Sequence, residues 1–283
     1  MPIHPGRMWC HCRQVYLPMS WIYGQKLSCP LNSLIEELRC EIFLEDFQTI
    51  NWSMARNYVA ESDLYSPHSW ILNVTNVAMK AFEYLGLTTL RQKALDEVLD
   101  HIKAEDFNTD CIGIGPVSKA VNLLVRFYSD GIGSDVFKTH CERVNDYLWF
   151  FYSNLRISHD GMKLQGTNGS QVWDTEFAIQ ALLESILKEN PSVKKCIGDA
   201  LKFLDAMQIK ENTVEKEKFY RHANKGGFPF STRDCGWIVT DCTAEALKSI
   251  MLARTIQYSH SLILESLQTQ FLMIESLKEL TFF

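Results

Sequence analysis

The sequence predicts an all-α fold, and three observations carry that prediction. Apolar residues recur at helical spacing through nearly all of the 283 residues. Helix start and stop signals bracket those stretches. Glycine (14) and proline (8) are scarce for a chain of this length, which favours long regular elements over a loop-rich β fold.

The elements follow in order. Ser33 with Glu36 forms a capping-box pattern ahead of Leu34, Ile35, Leu38 and Ile42. Pro67 opens a stretch carrying Ile71, Val74, Ala78, Phe82 and Leu85, and Gly86 closes it. Thr89 starts an amphipathic helix with Leu90, Ala94, Leu95, Val98, Leu99 and Ile102. Pro116 opens another, with Val117, Val121, Leu124 and Phe127 expected inside and Gly131 after it. Further helices are expected at about 135–150, 173–188, 192–208 and 241–255. Only 14–17 and 237–239 read as strands. Residues 160–172 are glycine-rich and mark the best boundary between domains. Residues 209–227 are charged and read as a surface excursion. Short helix–helix connections favour antiparallel neighbours in a layered or toroidal arrangement.

Composition narrows the function. With 46% hydrophobic and 12% aromatic residues the chain is no disordered tail. A net charge of -6 argues against general nucleic-acid binding. Nine scattered cysteines read as reduced thiols rather than a disulfide framework. No signal peptide and no membrane-spanning run is read, although attachment to a membrane surface needs only an apolar patch.

Two constellations bear on chemistry. Asp241-Cys242-Thr243-Ala244-Glu245 opens the last helix. Asp241 reads plainly as a helix cap. It also reads as a general acid, because a helix N-terminus stabilises the anion left by proton donation. Phe228, Phe230 and Trp237 are expected to crowd the approach to it, and Cys242 stands beside it to hydrogen-bond it. Trp9, Tyr16, Trp173, Phe228, Phe230 and Trp237 fall on loops and element ends, where ring faces suit the stabilisation of cations. Cys10-His11-Cys12 has three potential ligands in a row, too close to share one tetrahedral zinc, so no metal site is assigned. His11 reads instead as a hydrogen-bonded wall residue beside Trp9.

Four stretches together resemble the oxidosqualene cyclase family. They are 4–20, with Trp9-Cys10-His11-Cys12-Arg13-Gln14; 160–175, with Gln165-Gly166-Thr167-Asn168-Gly169-Ser170; 226–232, Gly-Gly-Phe-Pro-Phe-Ser-Thr; and 234–248, with Gly236-Trp237-Ile238-Val239-Thr240-Asp241-Cys242-Thr243-Ala244-Glu245. The last is the most diagnostic, and the version here looks most like the animal, lanosterol-forming members. The resemblance runs from about residue 2 to about 254. It implies an incomplete (α/α) barrel: 1–160 as the C-terminal part of a first barrel, 161–255 as the start of a second, and 256–283 as a divergent amphipathic tail. It implies an isomerase that cyclises (3S)-2,3-oxidosqualene to lanosterol, with no cofactor and no metal. On this resemblance Asp241 is the acid that protonates the epoxide and Cys242 tunes it. Trp173 and Phe230 offer ring faces to ring cations, while Trp9 and His11 stabilise the late side-chain cation. The implied partners are a lipid substrate and a membrane surface, that of the endoplasmic reticulum, with lipid droplets as a second surface.

The chain departs from the family pattern twice. Residues 150–159 make a longer stretch than the family's, and the pattern ends after about Arg254. A second reading is therefore a truncated, non-catalytic isoform that binds membrane or full-length cyclase. The tail residues Leu262, Ile263, Leu264, Leu267, Phe271, Leu272, Ile274 and Leu277 would serve such contacts. A third, a zinc prenyltransferase-type barrel, lacks suitably spaced ligands. Incomplete barrels imply exposed helix faces and little catalysis by the chain alone.

Overall fold

A computed structural model describes residues 4–52, 54–55, 58–153 and 156–255. The tail pattern from Leu262 to Leu277 lies outside the described residues. Nine helices are described: α1 (Leu17–Gly24), α2 (Ser33–Ile42), α3 (Trp70–Leu85), α4 (Thr88–Asn108), α5 (Pro116–Asp130), α6 (Asp135–Glu142), α7 (Gln171–Glu184), α8 (Pro191–Met207) and α9 (Thr240–Thr255). One antiparallel ribbon, β1 (Leu148–Ser153) and β2 (Arg156–Leu164), lies between α6 and α7. The all-α expectation holds apart from that ribbon. By contact the chain forms two compact units: Gly24–Ala94, and the remainder, which joins 4–23 to 95–255.

Local signals account for the helix ends. Asn32, not Ser33, caps α2, its side-chain oxygen accepting from Ile35 N at 3.0 Å. Ser69 caps α3 in the same way through Leu72 N, so the helix starts three residues beyond Pro67. Gly86 closes α3 at φ +60°, where a side chain would be strained. Pro116 and Gly131 bracket α5 as expected.

Four expectations need correction or refinement. Residues 14–17 are not a strand; Cys12–Tyr16 form a π-helical turn that runs directly into α1, burying Arg13 and Gln14. The helix expected over 135–150 stops at Glu142, and a 3₁₀ turn, Arg143–Tyr147, leads into the ribbon. There the aromatic run Trp149-Phe150-Phe151-Tyr152 obeys strand preference, with Leu148 opposite Leu164 and Phe150 opposite Met162. The segment 209–227 is a surface excursion, with Glu211, Glu215, Glu217 and Lys218 exposed, but it is anchored by the buried Phe219, Arg221 and Asn224. It closes on itself through Ile209 N to Gly227 O (3.1 Å) and Gly226 N to Ile209 O (2.7 Å). The fourth correction is the facing of α5. Val117, Leu124 and Phe127 are exposed, and the buried face is Ser118, Lys119, Asn122, Val125 and Arg126.

That inverted face is held by polar chemistry. Lys119 Nζ donates to Cys111 O (2.7 Å) and meets His140 Nδ1 (3.0 Å). His140 Nε2 and Arg126 Nε both reach Asp106 Oδ2, at 3.2 and 2.8 Å. Burial of these charges is tolerated because each has a partner. Burial pushes the Lys119 ammonium down to about 8. A small cavity of about 10 Å³ lined in part by Asp106, Lys119 and His140 has room for about one water.

The apolar core of the larger unit lies where α7, α8 and α9 meet. Val172, Ile179, Leu183, Ile197, Leu204, Phe228, Cys242, Ala246, Ile250 and Ala253 form one buried cluster. The 237–239 expectation survives as a single bridge, Pro229 to Ile238, extended by Val239 N to Phe228 O at 2.9 Å.

Candidate active site

The site is built on the segment 228–231, which lies between the first turns of α7 and α9. Val172 N donates to Ser231 O (3.0 Å) and Trp173 N to Phe230 O (3.3 Å). On the other side Phe228 N donates to Thr243 Oγ1 (3.0 Å), while that hydroxyl donates to Val239 O (2.9 Å). Thr243 thus fastens the aromatic segment to the opening turn of α9. Asn168 adds a third tie, its Nδ2 donating to Ser231 Oγ and Cys235 Sγ, both at 3.1 Å.

Asp241 is the second residue of α9 and is exposed. Its Oδ1 accepts from the backbone N–H of Cys242 at 3.0 Å. It does not act as the cap; Val239 O accepts the first helical bond, from Thr243 N. Cys242 is fully buried in the core with Phe228 and Val172. The hydrogen bond joining it to Asp241 uses its main chain. Burial, then the neighbouring Glu176 and Asp241, push its thiol up to about 12.

Trp173 is half-buried. Its ring lies 6.1 Å from that of Phe230 at 36°, and 4.8 Å from Phe177 edge-on. Phe177 is exposed, so the three rings present an open aromatic surface. Phe228 is fully buried in the core. Asp241, Cys242, Trp173 and Phe230 are therefore carried on one hydrogen-bonded framework. The described residues around Asp241 supply one wall and leave the carboxyl open.

Trp9 and His11 form a separate pair, rings 4.4 Å apart, with Trp9 66% exposed. The Cys10 thiol lies 3.4 Å from His11 Nδ1. Tyr16 is exposed. The segment bearing this pair is anchored through Arg13. Its Nε donates to Met8 O (2.6 Å) and its Nη1 to Phe219 O (2.6 Å), with a further bond from Nη2 to Tyr220 O. Arg13 also lies 5.6 Å from the Trp237 ring, and Arg221 stacks on the same ring at 3.6 Å. Arg221 Nη1 donates to Glu105 Oε2 (2.7 Å) and Nη2 to Gly236 O (2.6 Å). This buried arginine network connects the Trp9–His11 segment, α4 and the Gly236–Trp237 segment.

Sequence reasoning missed Glu176. It sits three residues after Trp173, fully buried, with both carboxyl oxygens unpartnered. Burial, then Glu245 and Asp241, raise its pKa to about 9, so it is a neutral acid at pH 7. Its place on the inner face of α7, between Val172 and Ile179, was the available signal. Glu245 is turned differently: its Oε2 accepts from Gln180 Nε2 (2.8 Å), which also donates to Ser249 Oγ (3.1 Å).

Comparison with known proteins agrees with the motifs. The chain is 49% identical to human lanosterol synthase over 251 residues, 89% of this chain and 33% of that protein. The chain is a relative of the oxidosqualene cyclases. Mouse lanosterol synthase matches at 48% over 252 residues, again 89% of the chain and 33% of the relative. Cycloartenol synthase of Dictyostelium discoideum matches at 44% over 265 residues, 94% of the chain and 36% of the relative. The chain thus spans about a third of the length of the cyclases it matches. No protein-family model matches it.

Proposed function

We propose that this chain carries the acid-bearing part of a lanosterol synthase-type cyclase, acting on (3S)-2,3-oxidosqualene. The observation that carries the reading is Asp241 in the first turn of α9, fastened through Thr243 and the segment 228–231 to the Trp173–Phe230 ring pair. The identity to lanosterol synthases gives that framework its substrate class.

An epoxide is a weak base, so its opening requires a strong proton donor. Asp241 gives its proton to the epoxide oxygen as the C–O bond breaks, and the helix N-terminus stabilises the carboxylate that remains. The neighbouring double bonds close on the cation, which Trp173 and Phe230 stabilise through their ring faces without acting as bases. Cys242 holds the carboxylate from its backbone. Trp9 and His11 serve the cation late in the cascade, and its final deprotonation restores proton balance. Residues 1–160 correspond to the end of one (α/α) barrel and 161–255 to the start of the next. Among the described residues no helix is long and apolar enough to cross a membrane. Attachment to one leaflet of the endoplasmic reticulum is the arrangement proposed for reaching an apolar substrate.

A graft tests this reading. The 251 matched residues replace the corresponding third of human lanosterol synthase, and sterol products are measured by gas chromatography–mass spectrometry. The graft is expected to form lanosterol, and Asp241→Asn to lower turnover by about 10³-fold or more. A folded graft whose turnover ignores Asp241→Asn would overturn the assignment. The chain by itself leaves Asp241 and Trp9 open to water, which quenches cations, so no lanosterol above background is expected from it.

A further inference from the structure

Arg13 grips the peptide groups on both sides of Trp9. Its Nε donates to Met8 O at 2.6 Å, and its backbone N–H donates to Trp9 O at 3.3 Å. The other two guanidinium nitrogens reach across to a distant stretch of chain. Nη1 donates to Phe219 O at 2.6 Å and Nη2 to Tyr220 O. The π-helical turn Cys12–Tyr16 turns Arg13 inward, where it is buried. Trp9 itself is 66% exposed, so packing does little to place its ring and the backbone that Arg13 holds decides where it stands. The far end of the clamp is also built. Tyr220 has φ +52°, in the left-handed region that a tyrosine adopts only when its surroundings hold it. Its ring is held by His101, stacked at 5.9 Å, by His4 edge-on at 5.5 Å, and by the Arg7 guanidinium at 5.0 Å.

We propose, resting on the cyclase reading above, that Arg13 is the positioning residue of the Trp9–His11 pair. By fixing Trp9 it sets where the late cation is held, and so which product forms, without touching substrate. The clamp spans Met8 and Trp9 at one end and Phe219 and Tyr220 at the other, so a single side chain ties the pair to the 219–221 segment. A planar fork is required for this. A guanidinium serves three carbonyls in fixed directions, whereas an ammonium is a point donor on a flexible stem. Placement matters because a shift of about 1 Å in a group that meets a reacting centre costs about 10²-fold in rate. In a cation cascade that loss falls on the late steps alone. The cation then loses its proton earlier, and consumption of substrate, set at the acid, continues.

The graft into human lanosterol synthase carries the test, because it completes the chain around the clamp. Arg13→Lys keeps the charge and loses the fork. It is expected to lower the lanosterol share of the products about tenfold, while oxidosqualene consumption stays within about threefold of the parent. Partly cyclised products make up the difference. Tyr220→Asn tolerates the left-handed backbone and keeps the carbonyl but removes the ring contacts, and is expected to give a smaller shift of the same kind. A thiol supplies a readout apart from turnover. Cys10 stands between Trp9 and His11, and its alkylation, followed by tryptic mass spectrometry, is expected to quicken about fivefold in Arg13→Lys. Exposed Cys196 on α8 is expected to react at an unchanged rate. Trp9→Ala and Asp241→Asn separate the outcomes. An unchanged lanosterol share in both Arg13 and Tyr220 variants, beside a lowered one in Trp9→Ala, overturns the proposal and leaves the cyclase reading standing. An unchanged share in Trp9→Ala as well removes the role of the pair, and the proposal with it. Lost consumption at an unchanged product share, or Cys10 and Cys196 quickening together, makes Arg13 a general structural residue and also overturns it. Turnover that ignores Asp241→Asn overturns the cyclase reading itself.

Discussion

The helices of Gly24–Ala94 and those around the α7–α9 core obey the same local rules and reach different ends. α2 and α3 are well capped, by Asn32 and Ser69, yet α2 buries no residue and α3 buries only Asn76. Trp70, Ile71, Val74, Val77, Met79 and Leu85 are exposed along α3. In the larger unit Val172, Ile179, Ile197 and Leu204 are each fully buried. Caps therefore specify where a helix begins and ends, and tertiary burial alone decides whether it is anchored. The candidate acid belongs to the anchored region.

Three substitutions sharpen the contrast, in descending effect. Arg221→Met leaves Glu105 buried beside one remaining weak donor, Gln14 Nε2 at 3.4 Å, and removes the stack on Trp237. A loss of about 3–5 kcal/mol is expected by urea unfolding of the larger unit. Glu176→Gln acts through pH. The native carboxyl holds its proton up to about pH 9, whereas the unfolded chain releases it near 4.5. Glu176 thus contributes most below pH 4.5, and its contribution falls as pH rises, levelling off above about 9. The negative charges of Glu245 and Asp241 act on Glu176 in the same direction as burial. The variant is expected to gain on the parent by up to ~1.4 kcal/mol per pH unit between about pH 6 and 9. A constant difference across that range would contradict a neutral buried acid. Smallest is Ser69→Ala, which removes the cap of α3. It should cost α3 about 1 kcal/mol, read as faster amide exchange in its first turn, and leave α7–α9 unchanged.

Legibility in the sequence followed the same division. Helix existence was readable because capping and glycine geometry are local, as at Gly86 and Gly131. The facing of α5 was not. Its apolar residues point outward because Lys119, Asn122 and Arg126 find buried partners in Cys111, Gln14, Asp106 and His140, set by the tertiary fold rather than by the helix's own pattern. The ribbon β1–β2 escaped because a helical pattern was carried across an aromatic run that prefers extended structure. Asp241, Cys242, Trp173 and Phe230 were found through the family motif. Glu176 was overlooked although its spacing from Val172 and Ile179 puts it on the inner face of α7; that it is buried there without a partner is set by the tertiary fold.

Native-state hydrogen exchange across the chain tests most directly the claim that the acid-bearing helix is set by its own core. Amides of α7 and of α9 from Ala246 onward are predicted to exchange only with global unfolding of the larger unit, while α2 and α3 exchange through local opening at much lower cost. Equal protection of α3 and α9, or α9 exchanging as freely as α3, would contradict it.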